Sequence, residues 1–242
     1  MVMSVLRRKG PVQGYSLRMK VDEIVWKKWM QWVSLIQLNL QNSVNDLAQF
    51  DVFREVVAQN ADWIRSNNGS EFVYLVTRSF SSHAFMSIRR QVKIKRNDDA
   101  VSLVRLLTEV ANQAHQLTYQ LYLRFNPRDP AIHEWQVDAF GKLSEDRLVV
   151  SRELIQRDLD RAKQLSANAE EIADKQVAHL DFKGTEAKAT FDELRDCLYH
   201  FDKLTVKYIR FFTGISHVDE TLKVRLPFDP REIFRHPLIK SG

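Results

Sequence analysis

Apolar residues recur along this chain at three- and four-residue steps for most of its length, the period of helices with one face in a core. From Asp22, an N-cap residue, the positions Val25, Trp29, Trp32, Val33, Ile36 and Leu40 predict a long core-facing helix, and the pattern leaves open a bend between Asn42 and Asp46. A second helical stretch, Val52 to Ile64, is expected to stop at Asn67-Asn68-Gly69, with a fresh start at Ser70. The third, roughly Glu71 to Lys93, carries Phe72, Val76 and Phe80, with Ser79, Ala84 and Ser87 small enough for a neighbouring helix to approach. Asp98 or Asp99 is expected to cap a fourth helix through Ala100 to Val110, with a further helical piece over Leu117 to Phe125. Between Asn126 and Asp138 the Asn-Pro and Asp-Pro pairs end that piece. Ser144 is expected to open the longest helix, with Leu148, Ile155, Leu159, Ala162, Leu165, Ala169 and Ile172 on one face. The capping box Thr190-Phe191-Asp192-Glu193 opens a last helix, Phe191 to Thr213, with Gly214 just past its end.

Five or more helices, no convincing strand and one short connection before the last helix predict an all-α antiparallel bundle over residues 21–214. Residues 1–20 carry Arg7, Arg8, Lys9 and Gly10 without a helical period and are expected to form an irregular basic arm. Residues 215–242, with Pro227, Pro230 and Pro237, are expected to form an extended tail.

Composition narrows this picture. The 242 residues are 44% apolar, enough for one substantial core, and no break in composition marks a second domain. Only 7 Gly and 6 Pro favour helix. The single cysteine, Cys197, excludes an internal disulfide and suits a reducing compartment. No run approaches the roughly 20 apolar residues of a membrane span, and the first residues lack the apolar core of a signal peptide, so the expected setting is the cytoplasm without a membrane partner. The net charge of +5 tilts the choice of partner towards polyanions.

Three clusters carry candidate chemistry. In Ile172 to Asp181 the acid Asp174, the base Lys175 and His179 fall together where a helix runs out, an arrangement suited to acid–base work. Its bland counterpart is a histidine that stitches the helix end by bonding a carbonyl or Asp181. Arg89, Lys93 and Arg96 would form one stripe about two turns long if their helix continues, with Arg90 beside it, either a solvated basic end or a phosphate-binding surface. Arg195, Asp196 and His200 form a third cluster, but residues five apart on a helix are separated by about 140°. Arg195 and His200 therefore flank opposite sides of the core face, while Asp196 and His200 can pair. His83 is expected to be a buried core histidine, and Trp26, Trp29 and Trp32 core or dimer-interface aromatics. With no Cys/His cluster, glycine-rich phosphate loop or nucleophile elbow, no metal or cofactor is expected.

The region Ile172 to Asp181, together with Phe72 to Phe80, Ser87 to Lys93 and Ala100 to Val110, resembles the HEPN superfamily, most closely its abortive-infection U-type branch, over roughly Val21 to Gly214. The resemblance implies a homodimeric helical bundle. It further implies a metal-independent RNase or toxin of a phage-defence or toxin–antitoxin system, with an antitoxin or defence-system partner, or a relative that has lost catalysis and binds RNA or nucleotide as a scaffold. The superfamily's nuclease motif is an arginine, a polar residue and, a few positions on, a histidine. Carried over, Asp174 is the polar residue and His179 the histidine, but Ala173 stands at the arginine. A cleaving enzyme would then need its cation from Lys175, Arg89 or Arg90, or from the alternative match Arg195, Asp196 and His200.

Overall fold

The computed structural model describes residues 21–94, 100–127, 133–178, 186–214 and 231. Its described residues form an all-α bundle, and only an isolated antiparallel bridge, Thr118 to Val149, has β character among them. Helix α1 spans Glu23–Gln59, α2 Ala61–Ser66, α3 Ser70–Val92, α4 Leu103–Gln113, α5 Tyr119–Phe125, α6 His133–Gly141, α7 Arg152–Ile172 and α8 Phe191–Thr213. A 3₁₀ turn, Ala114–Gln116, leads from α4 towards α5, and a π-helical turn, Ala173–Ala178, extends α7.

Helix α1 begins as expected, with the Asp22 carboxylate accepting from the Val25 amide. It does not break near Asn42. Its buried positions continue through Ser43, Val44, Leu47, Phe50 and Phe53, so the apolar stripe carries one helix of 37 residues past the polar segment. The separate helix expected over Val52 to Ile64 is therefore divided between the end of α1 and the short α2. The stop that follows uses Asn68, with φ at +56°, as the left-handed residue, while Gly69 stays right-handed and donates its amide to the Ile64 carbonyl at 2.8 Å.

Two other starts shift for local reasons. Ser102, not an aspartate, caps α4, its hydroxyl accepting from the Arg105 amide at 3.2 Å; Asp98 and Asp99 lie outside the described residues. The helix expected from Ser144 begins at Arg152, capped by Ser151, and α1 is the longest. The Asp146 carboxylate collects the Ser144 hydroxyl and the Leu148 and Val149 amides, a local turn that competes with helix. Tyr119 then donates to the Leu148 carbonyl at 2.8 Å and Val150 to that of Leu117 at 3.0 Å, holding the segment extended. Leu148 is consequently 68% exposed and not part of the core face. The break at Pro127 ends α5 at Phe125 as expected, and the short α6, not anticipated from the sequence, follows from His133.

Helix α8 forms as the sequence predicts. Thr190 and Glu193 make the reciprocal capping box, and Gly214 ends it at φ +63°. The Asn126 side chain stands 3.2 Å from where a β-carbon on Gly214 would be and donates to the Phe211 carbonyl at 3.3 Å, closing the helix end.

Helices α1 and α8 run antiparallel. Phe191, at the start of α8, packs on Phe50 at 5.2 Å between ring centroids, while Phe212, at its end, lies 5.2 Å from Trp26 and 5.8 Å from Trp29. Trp26 also stacks on Phe125 at 4.9 Å, tying α5 into the same seam. Trp26 and Trp29 are thus core residues, whereas Trp32 is half-buried between the Lys28 ammonium and the Arg105 guanidinium. Helix α7 packs against α3, α4 and α8. The first half of α3 reaches past this core: its buried residues begin only at Ala84, and Phe72, Tyr74 and Leu75 are exposed. No described helix is long and apolar enough to cross a membrane.

Phe212→Ala removes a fully buried ring from the α1–α8 seam and should cost about 3–5 kcal/mol in urea unfolding. Trp63→Ala, at a side chain 66% exposed, should stay within about 0.5 kcal/mol of the parent in the same measurement.

Candidate functional site

The charged residues that the sequence places at the ends of two helices meet in space. Helix α3 stops at Val92, and Lys93 takes an extended backbone at φ −68° and ψ 126°, so the basic stripe does not run on as helix. Arg96 lies outside the described residues. Arg89 and Lys93, four residues apart, share one side of the last turn of α3 and both reach Asp174 across the bundle. The Arg89 Nε donates to Asp174 Oδ1 and the Lys93 Nζ to Oδ2. All three side chains are about one third exposed or less.

Asp174 is the second residue of the π-turn. That wider turn follows directly on α7, whose outer face is charged, and such local departures from α-helix recur at functional sites. Burial opposes ionisation of Asp174, but the hydrogen bonds and charges of Lys93 and Arg89 outweigh it and hold the carboxyl below its usual range. The group is an anion that organises two cations. Among the described residues the two Nη groups of Arg89 make no bond of their own, so most of the guanidinium fork remains to meet a ligand.

Ala173, at the position aligned with the motif arginine, is fully buried. A long cation there would have to enter the core, whereas Arg89 and Lys93 bring positive charge to the adjacent residue from a different helix. Lys175 pairs with Glu171 at 2.9 Å along its own helix. His179 and Asp181 lie outside the described residues.

The alternative cluster on α8 is held apart within one chain. Arg195 donates to Asp51 of α1 at 2.6 Å and to Asp192 at 2.7 Å, and the hydrogen bond to Asp51 foremost raises its pKa. His200 lies on the other flank, half-buried, with Nε2 buried and unpartnered. Burial and then the nearby Arg161 charge, with Lys203 and Lys207 adding to them, push its pKa down and favour the neutral ring, against the opposing pull of Asp158. Asp196 is exposed, and no hydrogen bond joins it to His200. His83 is not a core histidine: its side chain is 50% exposed, with Nε2 3.5 Å from Asp46 Oδ2.

Beside the Arg89–Asp174 pair lies a feature that helical period alone could not supply, an open cleft of about 410 Å³. Leu35, Ile36 and Asn39 of α1 form one wall, Arg89, Arg90 and Lys93 the second, and Ala100 and Val101, on the way to α4, the third. An apolar Leu35 beside the buried stripe of α1 hints at it in the sequence, but its 56% exposure is seen only in the fold. Among the described residues no three His, Cys, Asp or Glu side chains gather as metal ligands. A scan against models of protein families found no match, and neither did searches of curated proteins and of solved structures.

Because the carboxyl of Asp174 titrates below its ordinary value of 3.8, its contribution to stability is present in full above that value and is lost as pH falls through the lowered one. Asp174→Asn should therefore cost about 1–2 kcal/mol at neutral pH, because the amide carries no charge and has one acceptor oxygen where Arg89 and Lys93 used two. The gap from the parent should close in strong acid, which urea unfolding at several pH values measures.

Proposed function

We propose that the protein is an RNA-directed bundle of HEPN type whose working centre combines Arg89 and Lys93 with Asp174 and with His179, five residues further along the sequence. The observation that carries this reading is the convergence of Arg89 and Lys93 on Asp174, next to the buried Ala173. In strand cleavage a ribose 2′-hydroxyl attacks the adjacent phosphate, and the phosphate gains negative charge before the 5′-oxygen departs. A histidine serves that reaction by moving a proton, and fixed cations serve it by balancing the developing charge. Here Asp174 positions both cations in advance, and Arg89, permanently charged, keeps free donors for two phosphate oxygens.

A non-catalytic form of the same reading has its own support. Asp174 offsets part of the charge of the two cations, and Ala173 contributes none, which suits a surface that holds phosphates without cutting between them. Incubation with total RNA and mapping of the ends formed separates the two. In the cleaving reading new ends appear and His179→Ala abolishes them with little change in thermal stability; ends that persist in that variant overturn it. In either reading, neutralising Arg89, Lys93 and Arg96 together should flatten the salt dependence of RNA binding by a slope of about two, since each cation that pairs with a single-strand phosphate accounts for about 0.7. An unchanged slope would leave these residues a solvated face.

A homodimer belongs to this proposal, as does an antitoxin or defence-system partner in the cytoplasm. Supporting the dimer, Phe72, Tyr74 and Leu75 are exposed on α3 between Glu71 and Arg78, neither of which has an ion-pair partner among the described residues. An antiparallel pair of such helices about a two-fold axis between Tyr74 and Leu75 would set Glu71 of each copy against Arg78 of the other. Leu75→Asp should shift the protein to monomer in sedimentation at micromolar concentration, and a parent that sediments only as monomer would remove the dimer.

A further inference from the structure

We propose that the cleft between α1, the last turn of α3 and the approach to α4 binds one nucleotide unit, with its phosphate on Arg90 and Lys93 and its base against Leu35 and Val101. The proposal rests on the polyanion reading above and adds to it a defined pocket and a ligand of nucleotide size.

The walls differ in chemistry in the way a nucleotide does. On one side Leu35 is 56% exposed and Val101 partly so, an apolar edge above the buried Ile36. On the other, Arg90 is exposed and enters no ion pair among the described residues, so its charge is uncommitted. Lys93 shares the cleft while its ammonium rests on Asp174, and an ammonium has three donors to divide. Among the described residues that line the cleft none is acidic.

Asn39 supplies the third requirement, a fixed donor between the apolar and cationic walls. Gln91, 2% exposed, donates from Nε2 to Asn39 Oδ1 at 2.8 Å, and its own Oε1 accepts from the Leu103 amide at 3.3 Å. This chain of bonds engages the Asn39 Oδ1, and among the described residues its Nδ2 donates to nothing. A buried glutamine that spans three helices to hold one asparagine is a rigid support of the kind binding sites use to keep a polar group in place. At about 410 Å³ the cleft falls within the roughly 300–1,000 Å³ of small-ligand sites. An aliphatic wall, a fixed amide donor and two cations match a base, its polar edge or ribose, and a phosphate. A bare phosphate would leave the apolar wall exposed, and a lipid tail would outrun it.

Calorimetric titration of the full chain with AMP, adenosine, inorganic phosphate and a ten-residue oligoadenylate tests the proposal. AMP should bind at least tenfold more tightly than adenosine or phosphate, and Arg90→Ala and Leu35→Asp should each weaken it at least tenfold. Both side chains are exposed, and circular dichroism with the thermal midpoint verifies that the variants fold. If AMP binds and the oligonucleotide does not displace it, the ligand is a free nucleotide. If only the oligonucleotide binds and Leu35→Asp weakens it tenfold, the ligand is one residue of a strand. Phosphate binding as tightly as AMP, indifference of every ligand to both variants, or no binding of AMP or oligonucleotide overturns the cleft. Retained RNA binding with its salt slope would then show that the cleft alone has failed, whereas loss of that slope as well would remove the polyanion reading with it.

Discussion

The antiparallel seam of α1 against α8 is the interaction on which the rest of the molecule depends. Along α1 the buried side chains run from Trp26 to Phe53, and α8 answers them from Leu194 to Phe212. Trp26, Trp29, Phe211 and Phe212 cluster at one end, and Phe50, Phe80 and Phe191 at the other. Each fully buried ring contributes about 1.5–3 kcal/mol through the water it gives up. Because both ends of the seam are filled by large rigid aromatics, α8 cannot slide along α1 without opening cavities. Helices α3, α4 and α7 pack around a frame whose register is already set.

That rigidity lets a charge cluster form where it does. Arg89 and Asp174 are 85 residues apart in sequence, and each belongs to a helix end whose position is fixed by buried neighbours, Ile88 and Val92 on α3 and Ile172 and Ala173 on α7. A lone exposed ion pair contributes little, but one carboxylate between two partly buried cations holds all three side chains in place and lowers the ordering cost for each. The cluster is better understood as a positioned surface of positive charge than as a source of stability. Its π-turn, its unengaged guanidinium donors and the adjacent cleft follow from the same convergence.

The outer half of the α1–α3 hairpin obeys a different balance. Beyond Phe53 on α1 and before Ala84 on α3 no side chain is fully buried, so this region is held by helix hydrogen bonds and by partial packing such as Phe50 on Phe80. Arg231 touches it from the far end of the chain, donating to Glu55 at 2.8 Å. Exposed aromatics there carry a cost in water that a second protein surface would relieve.

What the sequence determined by itself was the helical class, the core face of α1, and the whole of α8 with its capping box and its glycine. Those features are written in local terms: a 3.6-residue period, a hydroxyl three residues before a carboxylate, and a residue free to adopt positive φ. Helix limits were less legible where two local signals competed, as at Ser144, where the Asp146 side chain and the bridge to Thr118 drew the chain into a turn. The basic end of α3 and the acid at 174 could each be read as candidates, but not as partners. Nothing in one helix's period says which other helix its end will meet. That pairing, the burial of Ala173, the exposure of Leu35 and the cleft beside Arg90 were decided only by tertiary packing, because they depend on the angle and register at which whole helices cross, set by the summed fit of the buried side chains.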